Sequence, residues 1–233
     1  MPDFRHRSTQ KELLDRADIP FADIRSNMQE LDIINSRLGG HAITLHGIKA
    51  FLRKEGQNAI LHVVEIGCGG GDNLRAIKNW AEKNNRSIHF TGIDINPECV
   101  AFAKQQKANR DIEFLCSDYR DAIFSQPADL IFSSLFCHHF TNEEMVLQMQ
   151  WMKKNSRLGF FINDLHRHPI AYNSIKFLTQ LFSKSYLVKN DAPLSVLRGF
   201  KQRELKLLLQ KAGISNAHIY WRWAFRWLVI FKR

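Results

Sequence analysis

Residues 63–74 read VVEIGCGGGDNL, and this stretch decides the fold. It begins with the end of an apolar run of the kind that forms a buried strand, and four glycines then interrupt the run. Glycine permits positive φ and has no Cβ to block a ligand, while free amides at the start of a following helix can receive a carboxylate. The stretch therefore predicts a strand, a ligand-binding turn at Gly67, Gly69, Gly70 and Gly71, and a helix.

Short apolar runs alternate with helical segments after Gly56, and the first helix of this series is expected at 71–84. Such β-α repetition indicates a parallel sheet with helices on both faces, the α/β class. The predicted strands are residues 59–66, 87–93, 112–116, 129–133 and 158–163, with an aromatic-rich terminal strand pair at 216–232.

Helices are expected before this core and between its strands. Apolar residues at three- and four-residue steps predict a helix at 21–36, which Gly39-Gly40 ends, and a further helix is expected from His41 to Lys54. We therefore divide the chain into an N-terminal helical cap, residues 1–55, and a core, residues 56–233. Later helices are expected from the capping-box pair Thr141 and Glu144 through Lys154, at 170–183 and at 201–212.

The composition is that of a globular protein: 45% of the 233 residues are hydrophobic and 24% are charged. The N-terminus has no apolar run like that of a secretory signal, so a cytoplasmic location is expected. Polar residues interrupt the most apolar long stretch, 170–187, so no membrane span is predicted. Cysteines 68, 99, 116 and 137 lack paired spacing, which predicts free thiols and no metal site.

The net charge of +10 leaves a nucleic-acid partner open, because a basic surface attracts phosphates. The sequence contains no block of five or more basic residues, however, and Lys and Arg spread over solvated helix faces would give the same charge. Nucleic acid is therefore the less favoured partner, and the sequence does not predict an oligomeric state.

Three further segments follow the glycine turn at the ends of the next predicted strands. They are TGIDINPECV with Asp94, CSDYRD with Asp118, and ADLIFSSLFCHHF after the fourth strand. The turn itself reads E-x-G-x-G-x-G, and Asp72 occupies the place of the third glycine of the dinucleotide-binding pattern. A G-K-[ST] phosphate loop is not present. Together the four segments, Val63 to Phe140, resemble the motifs of class I S-adenosylmethionine-dependent methyltransferases.

This resemblance implies a Rossmann-like, doubly wound, mostly parallel seven-stranded sheet with an antiparallel terminal strand. It implies S-adenosylmethionine as cofactor. In that case the Asp94 carboxylate accepts hydrogen bonds from the ribose hydroxyls, and Asp118 binds the adenine amino group. Taken alone, Asp94 can instead be a turn residue before Asn96-Pro97, Asp118 a helix N-cap, and the glycine loop a structural turn. The cofactor-binding residues that the resemblance implies are Glu65, Gly67, Cys68, Gly69, Gly71, Asp94, Ile95, Asp118, Tyr119 and Ser134.

Within this class, the resemblance is nearest to methyltransferases acting on small molecules such as quinones and polyketide-derived phenols, and the segment INDLHRHPIAY at 162–172 is similar to one bacterial subgroup. Enzymes that methylate nucleic-acid amines often have N-P-P-Y or D-P-P-Y after strand four, where this chain has Ser133-Ser134-Leu135-Phe136. We expect methylation of a small, apolar or aromatic acceptor, with O-methylation of a phenol or enol favoured. An RNA methyltransferase and a non-catalytic cofactor-binding subunit remain alternatives.

Methylation of a hydroxyl requires a base, and histidine titrates in the right range. Four histidines follow strand ends at the edge where open α/β sheets bind ligands: His138, His139, His166 and His168. We favour His139 and His166 as catalytic residues. Each of them can also be a histidine that is hydrogen-bonded in a turn or lies at the surface.

The insertion at about 165–200 and the N-terminal helices are expected to cap the site and select the acceptor. Arg167 is a candidate for binding an anionic group of the acceptor, although it can equally be an exposed residue at a strand end. Tyr172 is a candidate for lining the site, although it can equally pack in the core. The candidate residues for an apolar acceptor pocket, some of which can equally belong to the core, are Phe177, Leu178, Leu181, Phe182, Tyr186 and Leu187.

Overall fold

The computed structural model describes residues 2–16, 18–52 and 59–233, and a series of strands and helices begins at residue 61. The strands are β1 (Leu61–Ile66), β2 (Ile88–Asp94), β3 (Ile112–Cys116), β4 (Ala128–Ser134), β5 (Ser156–Leu165), β6 (His218–Arg222) and β7 (Arg226–Lys232). The helices are α1 (Phe21–Arg37), α2 (Gly40–Leu52), α3 (Asp72–Lys83), α4 (Pro97–Gln105), α5 (Asn142–Asn155), α6 (Pro169–Phe182), α7 (Tyr186–Arg198) and α8 (Gln202–Lys211).

The seven strands form one sheet in the order β3-β2-β1-β4-β5-β7-β6. The first five of these strands are parallel, and β7 runs antiparallel to both β5 and β6. This confirms the predicted mostly parallel sheet with an antiparallel terminal strand. The order reverses between β1 and β4, and ligands of open α/β sheets bind outside the carboxyl ends of the strands at such a point.

Strand β1 is buried along its whole length because helices cover both faces of the sheet. Leu61 and Val63 pack with apolar side chains of α2, α3 and α4. Val64 and Ile66 point to the opposite face and pack with α5 and α8. Burial on both faces explains why apolar residues of β1 fall on both sides of the strand, as they do in parallel sheets.

Helix α2 lies close against β5 because residue 47 is a glycine. A Cβ atom at Gly47 would come within 2.6 Å of the ring of Phe161, which is fully buried. Phe161 also stacks on Phe132, with ring centroids 4.8 Å apart, and so has little room to move. The small residue therefore sets the distance between the N-terminal helices and the sheet.

The predicted helix boundaries agree with the structure to within a few residues, but two helices, α4 and α7, have no counterpart among the predicted ranges. The capping box is present, since Oγ1 of Thr141 accepts from the Glu144 amide and the Glu144 carboxylate accepts from the Thr141 amide. Helix α7 was not predicted, because Pro193 lies inside it and interrupts the sequence pattern. The predicted end of the second helix near Lys54, and the boundary between residues 55 and 56, lie outside the described residues.

Candidate functional site

The glycine turn joins β1 to α3 with three left-handed backbone positions: φ is +68° at Gly67, +49° at Gly69 and +74° at Gly71. A Cβ atom at Gly67 would meet the ring of Phe136 at 2.3 Å, and one at Gly71 would meet the ring of Phe114 at 2.8 Å. Gly69 has no described atom within 4 Å of its Cβ position. Packing therefore requires two of the glycines, while the third faces open space.

That open space belongs to a cavity of about 910 Å³ at the carboxyl ends of β1, β2 and β4, which is at the upper end of the range for ligand pockets. Three of the predicted site residues, Glu65, Gly71 and His166, do not line it. The predicted residues that do are Gly67, Cys68, Gly69, Asp94, Ile95, Asp118, Tyr119, Ser134 and His139.

Asp94 ends β2 and holds the glycine turn in place. Its carboxylate accepts from the amide of Gly69 at 2.8 Å and from the amide of Asn96 at 2.9 Å. Burial raises the pKa of Asp94, although the two amides oppose that rise. A carboxylate has about four acceptor positions, so two amide bonds leave capacity for hydroxyl donors in the cavity.

Asp118 lies at the cavity and also caps a short 3₁₀ turn, so the two alternatives considered for it are compatible. Its side chain accepts from the amide of Arg120 at 2.9 Å, and the guanidinium of the same arginine forms an ion pair with it. The hydrogen bonds to Arg120 lower the pKa of the Asp118 carboxyl. The next residue, Tyr119, packs edge-on against Trp151 with ring centroids 5.1 Å apart.

Glu65 is fully buried near the end of β1, just before the glycine turn. Neither of its carboxylate oxygens has a hydrogen-bond partner among the described residues. Burial raises the pKa of Glu65 well above its usual range, the charge of Asp72 adds to the effect, and the nearby amide of Asn73 opposes it. An unpaired buried carboxyl is costly, so this position favours a donor group beside the turn.

His138 points into the protein rather than into the cavity. Its Nδ1 lies 2.8 Å from Oδ1 of Asp164, and its Nε2 lies 3.5 Å from Oε1 of Glu12. Burial alone would lower the pKa of His138, but the two carboxylates outweigh it and raise the value to about 9. His138 is therefore a buried cation that joins the N-terminal segment to β5.

His139 lines the cavity, and two carboxylates from the N-terminal segment flank its ring. Its Nδ1 lies 3.0 Å from Oδ1 of Asp15, and its Nε2 lies 3.8 Å from Oε2 of Glu12. A histidine held through one nitrogen by a carboxylate has the arrangement of a general base with an orienting group.

His166 lies away from this cavity, so the structure does not bring the two favoured histidines together. It lines a separate depression with His168, Lys201 and Trp227. Burial, followed by the nearby His168 and the cationic neighbours, lowers the pKa of His166 to about 4. The reason for the separation is that β5 extends to Leu165, which carries the following residues past the cavity.

The other residues proposed around His166 have structural partners. The guanidinium of Arg167 is fully buried, where it pairs with Glu204 and donates to the carbonyl oxygen of Gly199. Tyr172 packs edge-on against Phe4, with ring centroids 5.7 Å apart. These contacts account for Arg167 and Tyr172 without a ligand.

The insertion at 165–200 does not line the cavity either. Helix α6 packs on α7 and buries Ala171 and Thr179, which leaves the opposite side of α6 exposed. The six apolar residues proposed for an acceptor pocket therefore lie elsewhere: Leu187 is in the core, and the exposed ones are Phe177, Leu178, Leu181, Phe182 and Tyr186.

Helix α1 lines the cavity instead. The cavity-facing residues of α1 include Ile24, Met28 and Leu31, together with two buried amides, Asn27 and Asn35. The Nδ2 atom of Asn27 has no hydrogen-bond partner among the described residues. The sequence analysis expected the N-terminal helices at the site, and α1 does line the cavity, but Asn27 and Asn35 on its apolar stripe were not among the predicted site residues.

Two groups of side chains among the described residues have the proximity that a metal site needs, with ligand atoms within 4.8 Å of one another. In each group an arginine also pairs with a carboxylate, Arg198 with Glu12 and Arg75 with Asp32. The groups are Glu12, His138 and His139, and Asp32, His41 and Asp72. No helix among the described residues is long and apolar enough to cross a bilayer.

A family model matches the central part of the chain, less than half of its length. Residues 63–157 match the family described as "Methyltransferase domain". No curated protein sequence matches the chain.

Solved structures with a similar fold include several methyltransferases. The plantazolicin methyltransferase BpumL, in complex with a monoazolic desmethylPZN analog and SAH, is 16% identical with a TM-score of 0.64, covering 91% of this chain and 90% of that one. Magnesium protoporphyrin IX methyltransferase from Synechocystis PCC 6803 with bound SAH is 16% identical with a TM-score of 0.56, covering 84% of each chain. Human N-acetylserotonin methyltransferase in complex with SAM is 20% identical with a TM-score of 0.62, covering 92% of this chain and 56% of that one.

Proposed function

We propose that this chain, a methyltransferase by its domain at residues 63–157, uses S-adenosylmethionine to methylate a small organic molecule. One observation carries the proposal: the glycine turn, Asp94 and Asp118 line a single cavity together with a histidine that a carboxylate orients. The relatives with a similar fold include enzymes named for plantazolicin, magnesium protoporphyrin and N-acetylserotonin, all of them small molecules.

The residues at the cavity fit this cofactor. Gly69 leaves open space where a side chain would otherwise block a ligand, and Asp94 retains acceptor capacity for ribose hydroxyls. Asp118, Tyr119 and Ile95 are the candidates for the adenine end. Glu65 lies behind the turn rather than at the cavity, and its unpaired carboxyl remains the candidate for the amino group of the cofactor.

The chain contributes alignment, exclusion of water and proton removal. The cofactor, when bound, supplies a methyl group on a positively charged sulfur. Helix α1 covers the cavity, and holding two reactants in line can lower a barrier by about 7–11 kcal/mol in favourable systems. His139 would accept the proton of an acceptor hydroxyl at Nε2 while Asp15 holds Nδ1.

We favour O-methylation of a phenol or enol of an apolar or aromatic acceptor, of the polyketide or quinone type. The apolar part of the cavity wall supports this choice, because it would pack against rings or chains. This apolar lining includes Leu14, Ile19, Leu31, Phe136, Phe140 and Leu147. We place the reaction in the cytoplasm, with residues 1–55 as the cap and residues 56–233 as the methyltransferase core.

A methyl-transfer assay with radiolabelled S-adenosylmethionine tests the proposal. Phenols, quinones and a structured RNA serve as acceptors, and calorimetry with the demethylated cofactor measures binding separately. Transfer to a phenol or quinone supports the proposed reaction. Transfer to RNA alone replaces it with the RNA alternative, and cofactor binding without transfer to any acceptor favours a non-catalytic subunit.

A further inference from the structure

The apolar side of α6 is wider than the surface that α7 covers. Ile170, Phe177 and Leu181 are spaced seven and four residues apart, so they share one side of the helix, and Phe182 follows Leu181 at the end of α6. Their exposed fractions are 59%, 67%, 61% and 74%, and none of the described residues covers them. Several large apolar side chains exposed on one helix indicate a contact with something outside the chain.

The hairpin between β6 and β7 adds two tryptophans beside the start of this helix. Trp221 is 47% exposed and Trp223 is 68% exposed. Phe225 connects the hairpin to α6, because its ring stacks on His168, the N-cap of α6, at 4.9 Å and meets Trp221 edge-on at 6.1 Å. We call the exposed residues of both elements the docking face; it consists of Ile170, Phe177, Leu178, Leu181, Phe182, Trp221 and Trp223.

The part of the chain that forms this face carries the excess positive charge of the protein. Residues 165–233 contain thirteen Lys and Arg but only two acidic residues, Asp191 and Glu204, whereas the rest of the chain is close to balance. Three of these cations, Lys176, Lys184 and Arg222, are on or next to the elements of the face.

A second group of cations borders the start of α6. A depression of about 450 Å³ there includes Pro169, the first residue of the helix, and is also lined by Arg5, Lys201 and Arg203. An anionic partner would therefore meet a positive potential on this side of the apolar row.

We propose that the docking face binds the surface of an anionic lipid bilayer. Its apolar residues project from a helix and a hairpin tip rather than line a groove, and exposed Trp, Phe and Leu beside Lys and Arg are the pattern of interfacial helices. A second copy of the chain would bring two basic faces together. Aliphatic side chains such as Leu181 contribute nothing to phosphate or base recognition by an RNA site. This proposal does not depend on the identity of the methyl acceptor.

Cosedimentation with vesicles tests the proposal. One set of vesicles is phosphatidylcholine alone, and the other contains about one third phosphatidylglycerol, so that only the second carries surface charge. The full chain should bind the anionic vesicles at least about tenfold more strongly than the neutral ones, and added salt should weaken that binding. Equal sedimentation with both vesicle types, or with neither, would overturn the proposal.

Variants locate the binding surface. The triple change Phe177→Ser, Leu181→Ser and Phe182→Ser should reduce vesicle binding by about tenfold or more. The control Ile123→Ser removes an apolar residue that is 88% exposed and lies outside the docking face, and it should bind like the wild type. Circular dichroism of each variant verifies that it is folded, which is expected because the replaced residues are exposed.

A matched pair of charge variants separates local from overall charge. The double change Lys201→Gln and Arg203→Gln should weaken binding to anionic vesicles more than Lys104→Gln with Lys107→Gln, which removes the same charge near α4. Equal effects of the two pairs would contradict a localised basic border. If the wild type is a dimer and the variant with Phe177, Leu181 and Phe182 replaced is not, the docking face is a subunit interface. If the chain prefers structured RNA to anionic vesicles, the docking face is a nucleic-acid site. Either result rejects the bilayer proposal.

Discussion

The Nδ1 atom of His139 lies 3.0 Å from Oδ1 of Asp15, a residue 124 positions earlier in the chain. This contact joins the loop after β4 to the N-terminal segment and orients the imidazole ring of His139. The neighbouring His138 makes a parallel set of contacts to Glu12 and Asp164 but is buried. The N-terminal segment therefore closes the site and orients the candidate base in one step.

His139 should matter for turnover more than for cofactor binding. Replacing it with Gln or Ala should lower kcat for a hydroxyl acceptor by about 100-fold or more, because the acceptor proton would have no base. Calorimetry should show nearly unchanged affinity for S-adenosylmethionine. His166→Gln is the matched control and should retain turnover, since His166 lies outside the cavity. Near-native rates in the His139 variants at neutral pH would rule out this base.

Asp15 acts through His139, so its replacement should have a smaller effect. Asp15→Asn should lower kcat less than His139→Gln does, and combining the two changes should cost little more than His139→Gln alone. Fully additive losses would show that Asp15 contributes independently of the histidine. Steady-state kinetics of the two single variants and the double variant provide the comparison.

Asp94→Ala should weaken cofactor binding by about 1–3 kcal/mol, because ribose hydroxyls would lose a buried acceptor. Asp94 also holds the amides of Gly69 and Asn96, so thermal unfolding of the unliganded variant must be measured beside the calorimetry. Asp118→Asn serves as a second variant at the same cavity. Unchanged affinity in the Asp94 variant would remove this residue from the cofactor site.

Gly47→Ala should destabilise the fold by about 1–3 kcal/mol, since the new methyl group would overlap a buried ring. The overlap is with Phe161 at 2.6 Å, and the stacked Phe132 limits its movement. Denaturant unfolding measures the loss. In a Phe161→Leu background the same glycine change should cost less, and an identical cost in both backgrounds would show that the ring is not the obstacle.

Stability should depend on pH through the buried pair of His138 and Asp164. The pKa of His138 is raised from 6.5 to about 9, so its contribution is complete below about pH 6.5 and is lost as the pH rises through about 9. Burial would raise the pKa values of Asp164 and Glu12, but their histidine partners outweigh it and lower them. The stability that these two carboxylates contribute is therefore lost as the pH falls through their lowered pKa values.

The measurement for this pair is the thermal midpoint from pH 6.5 to 9. The wild-type value should fall over this interval more steeply than that of His138→Gln, which has no ring to deprotonate. His166→Gln should change the slope far less than His138→Gln, because the lowered pKa of about 4 and the ordinary value of 6.5 for His166 both lie at or below the start of the interval. Identical slopes for the wild type and His138→Gln would contradict the assignment.

Much of the architecture follows from local sequence. The run at 63–66, followed by the four glycines at 67 and 69–71, identifies β1, the turn and α3. Burial restricts the residue types allowed in the strand, and positive φ restricts those allowed in the turn. The capping box at Thr141 was readable for the same reason, since both of its hydrogen bonds lie within four residues. The carboxylates at the ends of β2 and β3 could be placed at one edge because parallel strands end together.

Contacts between distant segments decided the rest. Adjacent histidines at positions 138 and 139 look equivalent in sequence, but Asp164 holds one inside the protein while Asp15 holds the other at the cavity. Likewise, the apolar patterns of α1 and α6 each predict an amphipathic helix, and only packing determines that α1 lines the cavity while α6 exposes its apolar side. Periodicity gives the side of a helix that is apolar, but the partner of that side depends on how the chain brings separate elements together.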